Sequence, residues 1–317
     1  MADPAYVFLD QNHWIYLAKD FWGKPHQEKH RGVAKRLLAK VERDEVRLPL
    51  SVLHLIELLR KGEHNARRRL AEVFELYSRG WFVAPWSEVV RFELSAALAR
   101  TFSTPATAEL AVFGRGFLFG IAPSARRLLE DAAPNVNFEV LDLLAQAPGA
   151  LFDLLTRENE ANRLVQNKNI AQLNSLDAAA AEDLRDKRKP ASKEVHRRAQ
   201  YAQYTVQFQQ QITNALSASG RSFQEFMALG LPRLLEFWSW VPSLDVDCEL
   251  TIYRDRQWSR RVDGNDFSDI GHLALAIPYC NAAVVERFWS RALDETGLRA
   301  KYGIASYADI SGLCSCL

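Results

Sequence analysis

Cysteine is scarce in this chain. The four residues, at 248, 280, 314 and 316, contain no C-x-x-C pair, which argues against a thiolate zinc site and for a reducing compartment. The terminal Cys314-Ser315-Cys316-Leu317 only loosely matches a prenylation signal, because its middle positions are not aliphatic and no basic run precedes it. An excess of one charge is also missing: 40 Lys and Arg face 39 Asp and Glu, for a net charge of +1. Any polyanion site must therefore come from local clustering. No apolar run is long enough to span a bilayer, and Met1 to Pro4 is not a signal peptide, so a cytoplasmic protein without a membrane partner is expected. A Walker-type phosphate loop is absent, which disfavours an NTPase. No repeat of fixed period occurs. What is present is an ordinary globular composition, 317 residues with 48% hydrophobic and 25% charged, enough for one large core or two modest ones.

The strand signals lie at the two ends of the chain. Ala5 to Leu9 is an apolar run bounded by Pro4 and Asp10, hence a buried strand, and a helix is expected over His13 to Phe21. Asp10 falls at the strand's carboxyl end, where open parallel sheets collect ligands; it could equally cap the next helix. Gly32 to Arg43 has helical spacing, Glu45 to Leu50 reads as a short strand, and Ser51 can cap a helix from Val52 to Lys61. In that helix Val52, Leu55, Ile56 and Leu59 form the expected buried stripe, leaving His54, Glu57 and Lys61 on the opposite face. Arg60, Lys61, Arg67, Arg68 and Arg69 follow as a basic cluster that is either a solvated face or a phosphate contact. Trp81 to Ala84 reads as a third strand, and another helix begins at Ser87.

From Thr101 to Trp240 the sequence reads as helical, with breaks at Pro105, Pro123, Pro134 and Pro148 and a basic stretch over Asp183 to Arg198 that leads into Tyr201, Tyr204 and Phe208. Val241 to Arg261 reads as irregular or strand-like and contributes Arg254, Arg256, Arg260 and Arg261. The expected architecture is an α/β core from residues 1–100 and 241–317 carrying an all-helical insertion, 101–240.

Asn265 to Trp289 contains the most informative pattern. Ile270, Leu273, Ala274 and Ile277 recur at helical spacing, and Asp266, Asp269 and His272 fall on one i, i+3, i+6 row, where neighbours lie roughly 5 to 6 Å apart at Cβ. Asp266 and Asp269 could be no more than first-turn carboxylates suited to the helix dipole. Ala282 to Val285 is a short apolar strand without alternation, as in a parallel sheet buried on both faces, and Glu286 ends it. Joining the two ends of the chain brings together Asp10, Glu57, Asp266, Asp269 and Glu286. Such an all-oxygen cluster calls for Mg²⁺ or Mn²⁺ rather than zinc, and two such ions can activate water for phosphodiester cleavage. His272 and Asn12 are then supporting polar groups.

VFLDQN at the first strand, LPLSVLHLIELL with Glu57, and NDFSDIGHLALAIPYCNAAVVE together resemble the PIN-like domain nucleases, over roughly the first 90 and last 75 residues. The resemblance implies a three-layer core with a central parallel sheet flanked by helices. Asp10, Glu57 and Asp269 match the family's first three acidic positions, Asp266 a frequent extra one, and Glu286 the last. Two positions depart from the pattern: Asn281 stands where aspartate is common, and Glu286 replaces aspartate. The implied activity is a Mg²⁺- or Mn²⁺-dependent endoribonuclease, serving as a toxin, defence effector or processing enzyme, with Asp10, Asp266, Asp269 and Glu286 on the metal. Arg60, Arg67, Arg68, Arg254 and Arg260 are the candidate phosphate contacts. Expected partners are RNA, with DNA as the alternative, a protein partner or antitoxin on the helical insertion, and a second copy of the chain. The competing reading is a catalytically silent scaffold of the same fold, which Asn281 and the balanced charge favour.

Overall fold

The structure, a computed structural model, describes residues 3–24, 27–105, 111–116, 119–120, 153 and 160–316. Pro123, Pro134 and Pro148 lie outside the described residues. In chain order the elements begin with β1 (Ala5–Leu9), α1 (Gln11–Phe21), α2 (Val33–Glu42), β2 (Val46–Arg47), α3 (Val52–Arg60), α4 (His64–Ser78), β3 (Trp81–Val83), α5 (Trp86–Phe102) and β4 (Phe113–Arg115). A helical run follows: α6 (Glu160–Arg188), α7 (Lys193–Gln207), α8 (Gln209–Ser217), α9 (Phe223–Met227), α10 (Gly230–Ser239), α11 (Pro242–Asp255) and α12 (Asn265–Tyr279). The chain closes with β5 (Ala282–Val284), α13 (Arg287–Glu295), α14 (Leu298–Tyr302), β6 (Ala305–Tyr307) and α15 (Ile310–Cys316).

The protein is α/β, with a four-stranded sheet in the order β2-β1-β5-β6 and a long helical middle region. Every pairing in that sheet is parallel. Two compact units divide the chain: the first comprises 1–85, 111–173 and 279–317, the second 86–110 and 174–278.

In the first unit Val7, Leu9, Val284, Trp14, Leu17, Leu37, Phe74 and Tyr77 form one buried core, where each large apolar side chain contributes roughly 1.5 to 3 kcal/mol. The β1 and β5 strands carry apolar residues without alternation because both faces of a parallel sheet are covered. Asp20 accepts hydrogen bonds from the Gly32 and Ala34 amides at 3.0 and 2.8 Å and so caps α2 from a distance. Tyr77 Oη donates to the Ala34 carbonyl at 2.9 Å and ties α4 to the same helix.

The expected third strand, β3, forms but belongs elsewhere: it pairs antiparallel with β4, and among the described residues a single bridge, Leu50 to Phe82, connects it to the stretch after β2. β4 itself corrects the expectation that residues 101–240 hold no strand. The expected strand over Glu45 to Leu50 shortens to Val46–Arg47.

The second unit has its own core, including Leu94, Tyr201, Tyr204, Ile212, Phe237, Trp238 and Cys248. Val241 to Arg261 is not strand-like, because Pro242 to Asp255 is the helix α11. Pro242 occupies its first turn, where the missing N–H costs nothing. Ser243 to Val246, Cys248 to Leu250 and Ile252 to Asp255 are all buried in it. A helix enclosed all round shows no apolar stripe, and periodicity has nothing to detect.

Candidate functional site

Strand order defines the place to look. From β1 the chain moves outward to β2, and from β5 it moves outward in the other direction to β6. Right-handed crossovers then put α1 and α13 on opposite faces of the sheet and leave a crevice at the carboxyl ends of β1 and β5. Leu9 pairs with Val284, and the Asp10 amide donates to the Val284 carbonyl at 2.9 Å. Asp10 and Glu286 thus leave neighbouring strands at the same edge.

Both residues occupy N-cap positions, of α1 and α13, yet neither side chain makes a capping hydrogen bond. Capping therefore does not account for these two carboxylates. Asn12, exposed on the first turn of α1, donates through Nδ2 to Glu286 Oε1 and links the two strand ends. Glu286 has no ion-pair partner among the described residues.

His54 supports this edge from below. The Ser51 amide donates to His54 Nδ1 at 3.0 Å, so Nε2 carries the proton and donates to the Leu9 carbonyl at 2.9 Å. The carbonyl immediately before Asp10 is thereby held by a neutral, fully buried imidazole. This corrects the expected face of α3: His54, Leu55 and Leu58 are buried, whereas Val52, Ile56 and Leu59 are half-buried. His54 turns inward because it closes a capping box with Ser51, the job usually given to Glu or Gln at that spacing. Glu57, one turn on, is half-buried.

Two groups at the same edge escape the sequence reading. His13 is buried, and its pKa falls from 6.5 to about 4; burial is the main cause, opposed by the Val285 backbone and the Asp309 charge. Asp309 follows β6 and is bonded by Lys29, by His30 at 3.1 Å, and by the Ser311 amide at 2.9 Å. Burial alone would raise its pKa, but those hydrogen bonds hold the carboxyl well below the usual range. The Asp309-Ile310-Ser311 turn at a helix start was the available signal.

No match to this chain is found among models of protein families, curated proteins or solved structures.

Asp10, Glu57, Asn12 and Glu286 belong to the first unit, and Asp266, Asp269 and His272 to the second. Among the described residues no three His, Cys, Asp or Glu side chains gather closely enough to hold a metal ion. Asp266 is buried, and both its oxygens are engaged: Arg260 donates to them at 2.7 and 2.5 Å, and the Asp263 amide adds a bond of 2.9 Å. Asp269 is half-buried and contributes to raising the Arg260 pKa, after the bond and charge of Asp266 and the charge of Asp263. His272 is buried on the inner face of α12.

The candidate phosphate contacts divide sharply. Arg67 is buried, donating to the Lys61 and Gly62 carbonyls at 2.8 and 3.1 Å. Arg254 is buried against Asp255, and Arg260 holds Asp266. Arg60 is half-buried and Arg68 exposed, the latter 3.3 Å from Glu72 in a surface pair of the kind worth about 0 to 1 kcal/mol.

Asn281 lies at the other end of β5. Its amide donates to the Tyr6 carbonyl and its Oδ1 accepts from the Tyr6 amide, both at 2.8 Å. Three residues of strand, roughly 10 Å, separate it from the edge that carries Glu286. The departure from the family pattern at Asn281 therefore does not touch the carboxyl edge.

Proposed function

We propose that this chain is a Mg²⁺- or Mn²⁺-dependent endoribonuclease of the PIN-like kind, with its cation at the carboxyl ends of β1 and β5. The observation that carries this reading is the pairing of Asp10 and Glu286 at a strand switch point, linked by Asn12 and unused for capping. The donor set fits the cation: Mg²⁺ is commonly held by one or two carboxylates and otherwise by water. When bound, the cation supplies Lewis acidity and a water of lowered pKa.

The protein's own part is positioning. Asn12 fixes the Glu286 carboxylate through one oxygen, and His54 fixes the backbone beside Asp10. Arg68 can exchange its weak surface pair for a phosphate, and Arg60, at the end of the preceding helix α3, is a second cation. Asp266, committed to Arg260, supports the start of α12. We also place the protein in the cytoplasm, a setting supported by the buried free thiols of Cys248 and Cys280. Among the described residues no helix is long and apolar enough to cross a membrane.

The test is cleavage of single-stranded RNA with Mn²⁺ by the wild type and by Asp10→Asn, Glu286→Gln and Asp269→Asn. Loss of activity by at least about tenfold is expected for the first two. Undiminished cleavage by both overturns the proposal. Calorimetric titration with Mn²⁺ separates the scaffold reading, for which the site stays silent.

A further inference from the structure

Two large aromatic side chains stand on the surface of the first unit where α1 ends. Phe21 is 38% exposed and Trp22 is 41% exposed. Trp22 Nε1 donates to the Arg69 carbonyl of α4 at 3.3 Å, which fixes the indole by its edge. Its ring neighbour among the described residues is Phe21, with centroids 5.2 Å apart and planes at 88°. A contact of that kind covers one face of the indole at most, and no cation lies over the ring among the described residues. A face of Trp22 is therefore open to a flat group.

The cations around it lack partners. Lys19, three residues earlier on α1, is exposed, as is Arg69. Lys61, at the end of α3, lies close enough to Lys19 to feel its charge: burial lowers the Lys61 pKa, Glu57 opposes this, and Lys19 lowers it further. Among the described residues Lys19, Lys61 and Arg69 have no ion pair. Neighbouring carboxylates are already engaged, Glu72 with Arg68 at 3.3 Å and Asp20 with the Gly32 and Ala34 amides. Two ammonium groups held side by side repel, and a phosphate between them removes the cost.

Helix α1 connects this patch to the carboxyl edge of the sheet. Asn12, bonded to Glu286, is exposed on its first turn. Residues seven apart share a helix face, so Lys19 follows Asn12 along the same side. Trp22 lies roughly 15 Å from Asn12 at the helical rise, a distance that a few nucleotides of single strand cover.

We propose that the end of α1 is a subsite for unpaired RNA, in which one base stacks on Trp22 and the adjoining phosphates meet Lys19, Lys61 and Arg69. The proposal rests on the nuclease reading for the course of the strand towards Asp10 and Glu286, and binding itself is tested without it. Every base has a flat face, so the subsite accepts any sequence. A duplex, whose bases already stack on one another, has none to offer.

The experiment is fluorescence anisotropy of an end-labelled RNA dodecamer, single-stranded or in a duplex, titrated with the full chain in EDTA. The single strand is expected to bind at least tenfold tighter than the duplex. Trp22→Leu, which keeps an apolar side chain but no ring, should weaken single-strand binding roughly 5- to 100-fold through lost stacking, and Trp22→Phe should restore most of it. Lys19→Gln and Arg69→Gln should each reduce the slope of log affinity against log salt by about 0.7. Thermal unfolding checks that the variants fold. Wild-type affinity in Trp22→Leu, or equal binding of strand and duplex, overturns the subsite even if Mn²⁺-dependent cleavage is found. Binding that depends on Trp22 in a chain that never cleaves upholds the subsite and overturns the nuclease reading alone.

Discussion

Acid should weaken this protein in a pH window that one side chain sets. His13 is buried beside the carboxyl edge of the sheet, and burial lowers its pKa from 6.5 to about 4. In the unfolded chain the imidazole takes a proton near pH 6.5, while in the folded chain it stays neutral until about pH 4. Above pH 6.5 both states are neutral and the full stability is present. Between the two values only the unfolded state gains a proton, so stability falls as pH falls, and below about 4 no more is lost from this group. At about 1.4 kcal/mol per pH unit, the total is about 3 kcal/mol. His13 is 3% exposed, so solvent screening does not reduce it. The measurement is urea unfolding at pH 7, 6, 5 and 4 with a chelator present, comparing wild type with His13→Leu. The wild type should lose about 3 kcal/mol more than the variant across that range. Parallel pH profiles would refute the assignment. Asp309 does not confuse the comparison: its depressed pKa gives stability that is present above the ordinary carboxylate range and is lost only as pH falls below it, in the wild type and the variant alike.

Arg260→Ala strands a buried Asp266 carboxylate and should destabilise the protein by roughly 3 kcal/mol, the low end for breaking a buried pair, because Arg260 is itself 35% exposed; thermal unfolding reads this directly. His54→Leu leaves the Leu9 carbonyl and the Ser51 amide without their partner and should cost about 2 to 3 kcal/mol, with Mn²⁺-dependent cleavage falling further than stability explains. Asn281→Asp keeps the acceptor for the Tyr6 amide, so cleavage should match wild type; a tenfold change would mean that the amino edge of β5 takes part in the chemistry. Asn281→Ala removes that acceptor and should cost about 1 kcal/mol in denaturant titrations.

β1, β5 and the residues that end them were legible because an unbroken apolar run bounded by polar residues admits few alternatives. The same holds for α12, where the stripe Ile270, Leu273, Ala274 and Ile277 is buried as its spacing requires. α11 was not legible, since a helix buried on every side has no polar face to mark its period. His54 misled because its inward turn depends on a local capping bond and on the Leu9 carbonyl 45 residues away. The arginines misled for a related reason: the partners of Arg67 are backbone carbonyls, and no sequence pattern announces a guanidinium spent on them. Asp10 and Glu286 were visible as strand ends, but their shared edge follows from the order β2-β1-β5-β6, which only long-range pairing decides.

The two bonds between Asn281 and Tyr6 have a consequence at the opposite edge. β1 and β5 pair over only three residues, and all of those side chains are apolar. In such a strand a slip by one residue exchanges one apolar face for another, so burial alone specifies alignment weakly. Asn281 removes the ambiguity by gripping both polar groups of Tyr6. Slipping β5 by one residue would break that grip and shift Glu286 relative to Asp10 by about 3.3 Å, the rise per strand residue. The spacing of the two carboxylates is therefore gauged by an amide that never meets them.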